Sequence, residues 1–291
     1  MLLDKSVELA PEKETKVKNS SLYLSNGNFS NIYKNKMSMT TNAKNIAWDI
    51  INCGLQNAPN SNSMCNALYN SQQCASIADF QIPEPWNGDI ENAPILFVGL
   101  NPGFLDVELY PKLGNPYWLQ ANGGFDTAKV EDFFEHRFNS RHQYVQYPNR
   151  TMIASGGYKL LRGRTFWGYV KSIADKVLNR ASTPGTDFAI TEIVHCKSRN
   201  IRCIHSKCYD KCFDQHFNNI LSIAQNLQYI VVLGSPTRVR MSKYFGISPV
   251  EKYKWYYNVN LKNKTIKIIF VDHNAARGAS AKNIPLLTAQ P

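Results

Sequence analysis

Two short stretches end in side chains that can do chemistry. Pro94 to Phe104 reads PILFVGLNPGF, an apolar run broken by Gly-Leu-Asn-Pro-Gly, and Thr265 to Gly278 reads TIKIIFVDHNAARG, a second apolar run broken by Asp-His-Asn. Asn101 and His273 are what these breaks present: an amide that both donates and accepts, and an imidazole that titrates near neutrality. The chemistry open to them is hydrogen bonding and proton transfer at a bound ligand. Seven cysteines form the other reactive set. Cys208 and Cys212 lie one helical turn apart, Cys196 precedes them, Cys65 and Cys74 come before the first motif, and Cys53 is a further candidate. The Cys- and His-bearing stretch from Cys196 to His216 suits zinc, although a free cysteine also packs as a small hydrophobe.

Positioning these groups takes strands buried on both faces. Ile95 to Val98 and the run before Asp272 have the continuous apolar character of central parallel strands, and open α/β sheets place ligands at the carboxyl ends of such strands. Gly99 and Gly103 allow a sharp turn and Pro102 stiffens it, which leaves Asn101 as the polar side chain held at the strand end. Further strands are expected over Phe188 to Val194 and Tyr229 to Leu233. Helices are expected over Thr41 to Leu55, Thr127 to Phe138, Gly163 to Leu178 and Ser206 to Leu227, with a basic helix after Gly234-Ser235-Pro236. Pro83 to Gly88 reads as a rigid lead-in to the first strand, and Asp106 to Gly124 as a long irregular connection. Alternating strands and helices predict an α/β fold, a three-layer α/β/α sandwich around a central, mainly parallel sheet. Residues 1–40 are polar and aperiodic, which predicts a disordered or weakly ordered extension ahead of a domain over 41–291.

The chain has 291 residues and 33 Lys and Arg against 22 Asp and Glu, a net charge of +11 that favours a polyanionic partner. The charge gathers after two strands, at Lys197, Arg199, Arg202, Lys207 and Lys211 and again at Arg238, Arg240 and Lys243. That is the edge where the two motifs end. No run of about twenty apolar residues is present to cross a membrane, and the first residues lack the apolar core of a secretory signal. A cytoplasmic, nucleoid-associated monomer with reduced thiols is the expectation.

The paired motifs resemble the uracil-DNA glycosylase superfamily, in which a G-x-N-P-G or G-E-A-P-G loop faces a second loop opening with His. PEPWNG, ITEIVHCKS and IVVLGSPTR, in the same order along residues 65 to 280, look like its iron–sulfur branches. The resemblance implies a DNA glycosylase that hydrolyses the bond between deoxyribose and uracil or another damaged base. It implies that Asn101 positions the attacking water and that His273 donates to the base oxygen that gathers charge. Gly99, Leu100, Pro102, Phe104 and Glu192 would line the base site, with Tyr117 of LGNPYW stacking on the base. Lys197, Arg199, Arg277 and Ser280 would meet DNA, the last two near a strand-inserting loop. Cys65, Cys74, Cys196 and Cys212 would hold a [4Fe–4S] cluster, with zinc the alternative. Where uracil-excising members carry Asn four residues before the middle cysteine, this chain has Glu192, which leaves the excised base open. A module that keeps fold and cluster and binds nucleic acid without cleaving is the alternative function.

Overall fold

The computed structural model describes residues 39–104, 108–138, 144–147, 150–153, 166–199, 206–248, 256–261 and 264–273. Its centre is a sheet of five strands in the order β4-β1-β5-β7-β6, built from β1 (Ile95–Gly99), β4 (Phe188–Glu192), β5 (Tyr229–Leu233), β6 (Tyr257–Leu261) and β7 (Lys264–Val271). The first four in that order run parallel, and β6 pairs antiparallel to β7 at the edge. Every residue of β1 and β4 is buried, as expected where both faces of a parallel strand are covered. A separate antiparallel pair, β2 (Tyr144–Tyr147) and β3 (Arg150–Ile153), lies in the chain between β1 and β4.

Alternate residues of the strands feed two different cores, the signature of the two-residue strand period. Leu96, Val98, Ala189, Ile230, Val232 and Ile268 join α1 (Thr41–Asn57) and α5 (Ser206–Ile223) in one. Ile95, Phe97, Phe188, Ile190, Val231 and Val271 join Val170, Ile173 and Val177 of α4 (Phe166–Leu178) in the other. Thr40 caps α1 by accepting from the Ala43 amide, and its apolar stripe through Ile46, Ile50 and Gly54 faces inward. Gly54 has a reason to be glycine: a Cβ there would meet the Pro83 ring at 2.0 Å. So α1 lies with its backbone against the lead-in to β1. Asp126 caps α3 (Thr127–Glu135), and α6 (Ser235–Tyr244) starts directly from Gly234 at φ +81°.

The expected strands and the helices α1, α3, α4 and α5 are present with boundaries within a few residues. Added to them are the short α2 (Asn66–Ser71), the β2–β3 pair and the edge strand β6. The polar extension lies, up to residue 38, outside the described residues. No described helix is long and apolar enough to cross a membrane.

Candidate functional site

At the carboxyl ends of β1, β4, β5 and β7 opens a cleft of about 770 Å³. Asn101 and His273 both line it, although they come from opposite ends of the chain. The loop after β1 is held by a continuation of the β1–β4 ladder beyond the strands. Ile193 and Val194 amides donate to the Gly99 and Leu100 carbonyls, Ser198 N–H donates to Pro102 O at 3.1 Å, and Phe104 N–H donates to Ser198 O at 3.1 Å. Into this clamp Asn101 is locked by its amide nitrogen, which donates to Ser198 Oγ at 2.7 Å and to Pro102 O at 3.1 Å. With both N–H groups used, Oδ1 is the end of Asn101 left to accept from a ligand.

His273 follows β7 at the rim, where its ring stacks on Phe166 with centroids 5.6 Å apart and planes 25° from parallel. Loss of hydration pulls its pKa below the ordinary value, so the ring is neutral at pH 7 and has one N–H to donate. Gly234 gives it room, since a Cβ there would come within 3.3 Å of His273 Cβ.

Glu192 ends β4 opposite Gly99 and is 7% exposed. Its Oε2 is buried without a hydrogen-bond partner, and a Cβ on Gly99 would sit 2.1 Å from that oxygen. Burial, and then the charge of Glu84, raise its pKa well above the ordinary carboxylate range.

Beside it the cleft wall carries a closed ionic network. Arg137 Nη1 reaches Glu84 at 2.6 Å and Asn87 Oδ1 at 2.7 Å, its Nη2 reaches Glu108 at 2.7 Å, and Lys197 Nζ reaches the other Glu108 oxygen at 2.9 Å. The Lys197 ammonium also lies 3.7 Å from the centre of the Tyr110 ring. Two cations and two carboxylates, all nearly excluded from water, neutralise one another. Lys197 was expected to meet DNA phosphates at the surface. It is 1% exposed, because its charge is taken by Glu108 inside the fold.

Of the other expected site residues, Gly99, Leu100, Pro102, Phe104 and Arg199 line the cleft. The Arg199 guanidinium lies 4.6 Å over the Phe104 ring at the exposed rim. Tyr117 is not among the lining residues. Its ring meets Trp118 edge-on at 4.8 Å and carries the Lys129 ammonium 4.9 Å above it. The aromatic lining comes instead from Phe104, Phe166 and Trp167, and α4's first residues were missed because nothing local marks them as a wall of a cleft. At α6, Arg238 pairs with Asp272 and Arg240 with Asp210, so part of the expected basic face is already neutralised. Thr237 Oγ1, at the amino end of α6 and in the cleft lining, is buried without a partner. Arg202, Arg277 and Ser280 lie outside the described residues.

Behind the segment from Val194 to Cys196 lies a second, much smaller pocket of about 20 Å³. Five thiols line it: Cys53 from α1, Cys65 from the start of α2, Cys196, and Cys208 and Cys212 from α5. Cys65 and Cys208 share a hydrogen bond that draws the Cys65 pKa down to about 6. Burial pushes the Cys212 thiol up to about 12 and the Cys196 thiol up as well. His195 and His216 stand in the same lining with rings 5.5 Å apart, held neutral chiefly by burial at pKa values of about 3 and about 4. Cys65, Cys196 and Cys212 are thus brought together as expected from the resemblance, but Cys74 is not among the lining residues and lies by Gln72. Cys203 lies outside the described residues. Among the described residues, no three Cys, His, Asp or Glu side chains are arranged to close round one metal ion.

No protein-family model matches this chain, and no curated protein matches it.

Proposed function

We propose that the protein is a DNA glycosylase that hydrolyses the N-glycosidic bond of uracil or another damaged base. The observation that carries this is the shared cleft of Asn101 and His273, with an amide oxygen on one side and a neutral imidazole on the other. As the bond breaks, the sugar becomes cation-like and the base takes the electron pair. Asn101 Oδ1 accepts from a water and holds it toward C1′, and His273 donates to the base oxygen that gathers charge. Phe166, stacked on His273, and Phe104 offer faces on which an extruded base can lie. The uncapped amino end of α6, the orphaned Thr237 hydroxyl and Arg199 suit flanking phosphates. The two strand-alternating cores support the three-layer α/β/α arrangement that such an enzyme would have.

The thiols of this pocket are the kind of donor set a [4Fe–4S] cluster takes. Five sulfurs converge on the pocket from four parts of the chain, and a four-iron cluster takes one thiolate per iron rather than closing round a single ion. These thiols reach the pocket from four segments, and we assign one from each as a ligand: Cys53, Cys65, Cys196 and Cys212. Bound there, the cluster would be a structural brace tying α1, α2 and α5 to the segment that supports the cleft. Zinc remains the rival occupant, separated by metal analysis. Base release from oligonucleotides tests the enzymatic reading. Specific DNA binding with no release of any base would favour a non-catalytic binding module.

A further inference from the structure

We propose that Glu192 is a neutral carboxylic acid that reads the ligand, giving its O–H to a carbonyl oxygen and accepting from the adjacent ring N–H, so that the cleft selects a lactam edge. The identity of the ligand as a base rests on the glycosylase reading; the state of the acid does not.

Three features of geometry lead here. Glu192 lines the cleft at the end of β4, its Oε2 is buried with no partner, and Gly99 directly across the sheet leaves the space the carboxyl fills. A polar atom so placed is costly unless a ligand satisfies it. The charged groups nearby offer it nothing. Glu84 and Glu108 are bound by Arg137 and Lys197, whose charges are thereby used, and His195 Nδ1 faces the Glu84 carbonyl at 2.8 Å. His273 stands at the rim and is neutral. No described cation forms an ion pair with Glu192, and Glu84 repels a negative charge on it.

An ionised carboxylate has only acceptors and would repel a carbonyl oxygen. A neutral acid carries a donor and an acceptor side by side, the complement of the C=O and N–H in uracil or hypoxanthine. The raised pKa agrees with this state and predicts its limit: as pH rises through the folded value, the donor is lost.

The test uses the full chain and free uracil as probe, by calorimetry from about pH 5.5 to about pH 8.5, beside ligand-free thermal unfolding. Wild type should bind uracil with an affinity that falls about tenfold per pH unit once the acid has ionised. Glu192→Gln, which keeps a donor and an acceptor and controls for ionisation of uracil itself, should bind without that fall. Glu192→Leu should bind at least about tenfold more weakly, as for a lost buried hydrogen bond. In unfolding, an acid whose folded pKa is raised loses stability as pH climbs from the unfolded value through the folded one, so the Tm gain of Glu192→Gln should grow with pH. A Tm difference that is the same at both ends of the range overturns the neutral acid. Failure of wild type to bind uracil at any pH, full binding by Glu192→Leu, or cytosine bound as tightly as uracil overturns the ligand assignment. Uracil binding with the expected pH fall but no release from any oligonucleotide refutes the hydrolase and keeps this inference; release undiminished in Glu192→Leu does the reverse.

Discussion

The two pockets differ in nearly every physical respect and share one wall. The cleft is wide, about 770 Å³, with its strongest charges cancelled in a network and with Asn101 and His273 both in its lining. The thiol pocket is small, about 20 Å³, and brings five thiols and two neutral histidines together. Between them run two segments that each pass from the lining of one pocket to the lining of the other. Pro83 lines the thiol pocket and Glu84 the cleft; Cys196 lines the thiol pocket, and Lys197 and Ser198 the cleft. The segments are stitched together by Glu84 N–H donating to His195 O at 2.9 Å. The difference teaches a division of labour: one side fixes the wall, the other uses it.

The largest effect should come from the fixing side. Cys196→Ser should strip iron and visible colour from anaerobically purified protein and lose most soluble protein, because binding at such a site contributes to folding. Cys53→Ser should do the same, whereas Cys74→Ser and Cys208→Ser should keep their iron. Colour lost in Cys74→Ser and kept in Cys53→Ser would return the fourth ligand to Cys74.

Next in size is the network on the cleft side. Arg137→Met removes a fully buried cation and leaves Lys197 alone to balance Glu84, at 3.9 Å, and Glu108, at a cost of about 3 to 5 kcal/mol in denaturant unfolding. Iron content measured on the same variant sharpens the comparison: a stitched wall predicts that part of the iron is lost too. A loss below about 1 kcal/mol would mean the carboxylates find water or protons instead.

His273→Ala should lower base release by about a hundredfold to a thousandfold, the usual effect of losing one donor to developing charge, while DNA affinity and iron content stay unchanged. A fall in iron would mean the two pockets are not separable in this way. The smallest effect belongs to the rim: Arg199→Ala should reduce the slope of log affinity against log salt by about one unit. Lys197→Met should leave that slope unchanged, since its ammonium is inside the network.

How legible all this was in the sequence depended on range. β1, β5 and β7 could be read because strands covered on both faces are continuous apolar runs, and Asn101 and His273 because each sits where such a run stops. β6, with the sequence YNVNL, alternates in burial at a sheet edge and gives no such run. Lys197 looked like a surface cation because its partner, Glu108, is 89 residues away. Tyr117 looked like a stacking ring because its local pattern fitted, while the ring that does stack on His273 belongs to α4. Cys53, a further candidate from sequence, reaches the other thiols because α1 packs beside α5 and brings it into the same pocket as Cys196. Glu192 could be named from sequence, but its orphaned oxygen could not.

Glycosylase activity is decided by base release from single- and double-stranded oligonucleotides carrying uracil, hypoxanthine, xanthine or a mismatched thymine. The iron-loaded wild type should release at least one of these bases, and Asn101→Ala, with DNA affinity nearly intact, should be about a hundredfold to a thousandfold slower. Release at the wild-type rate by Asn101→Ala, or no release of any base by the wild type, would contradict the glycosylase reading.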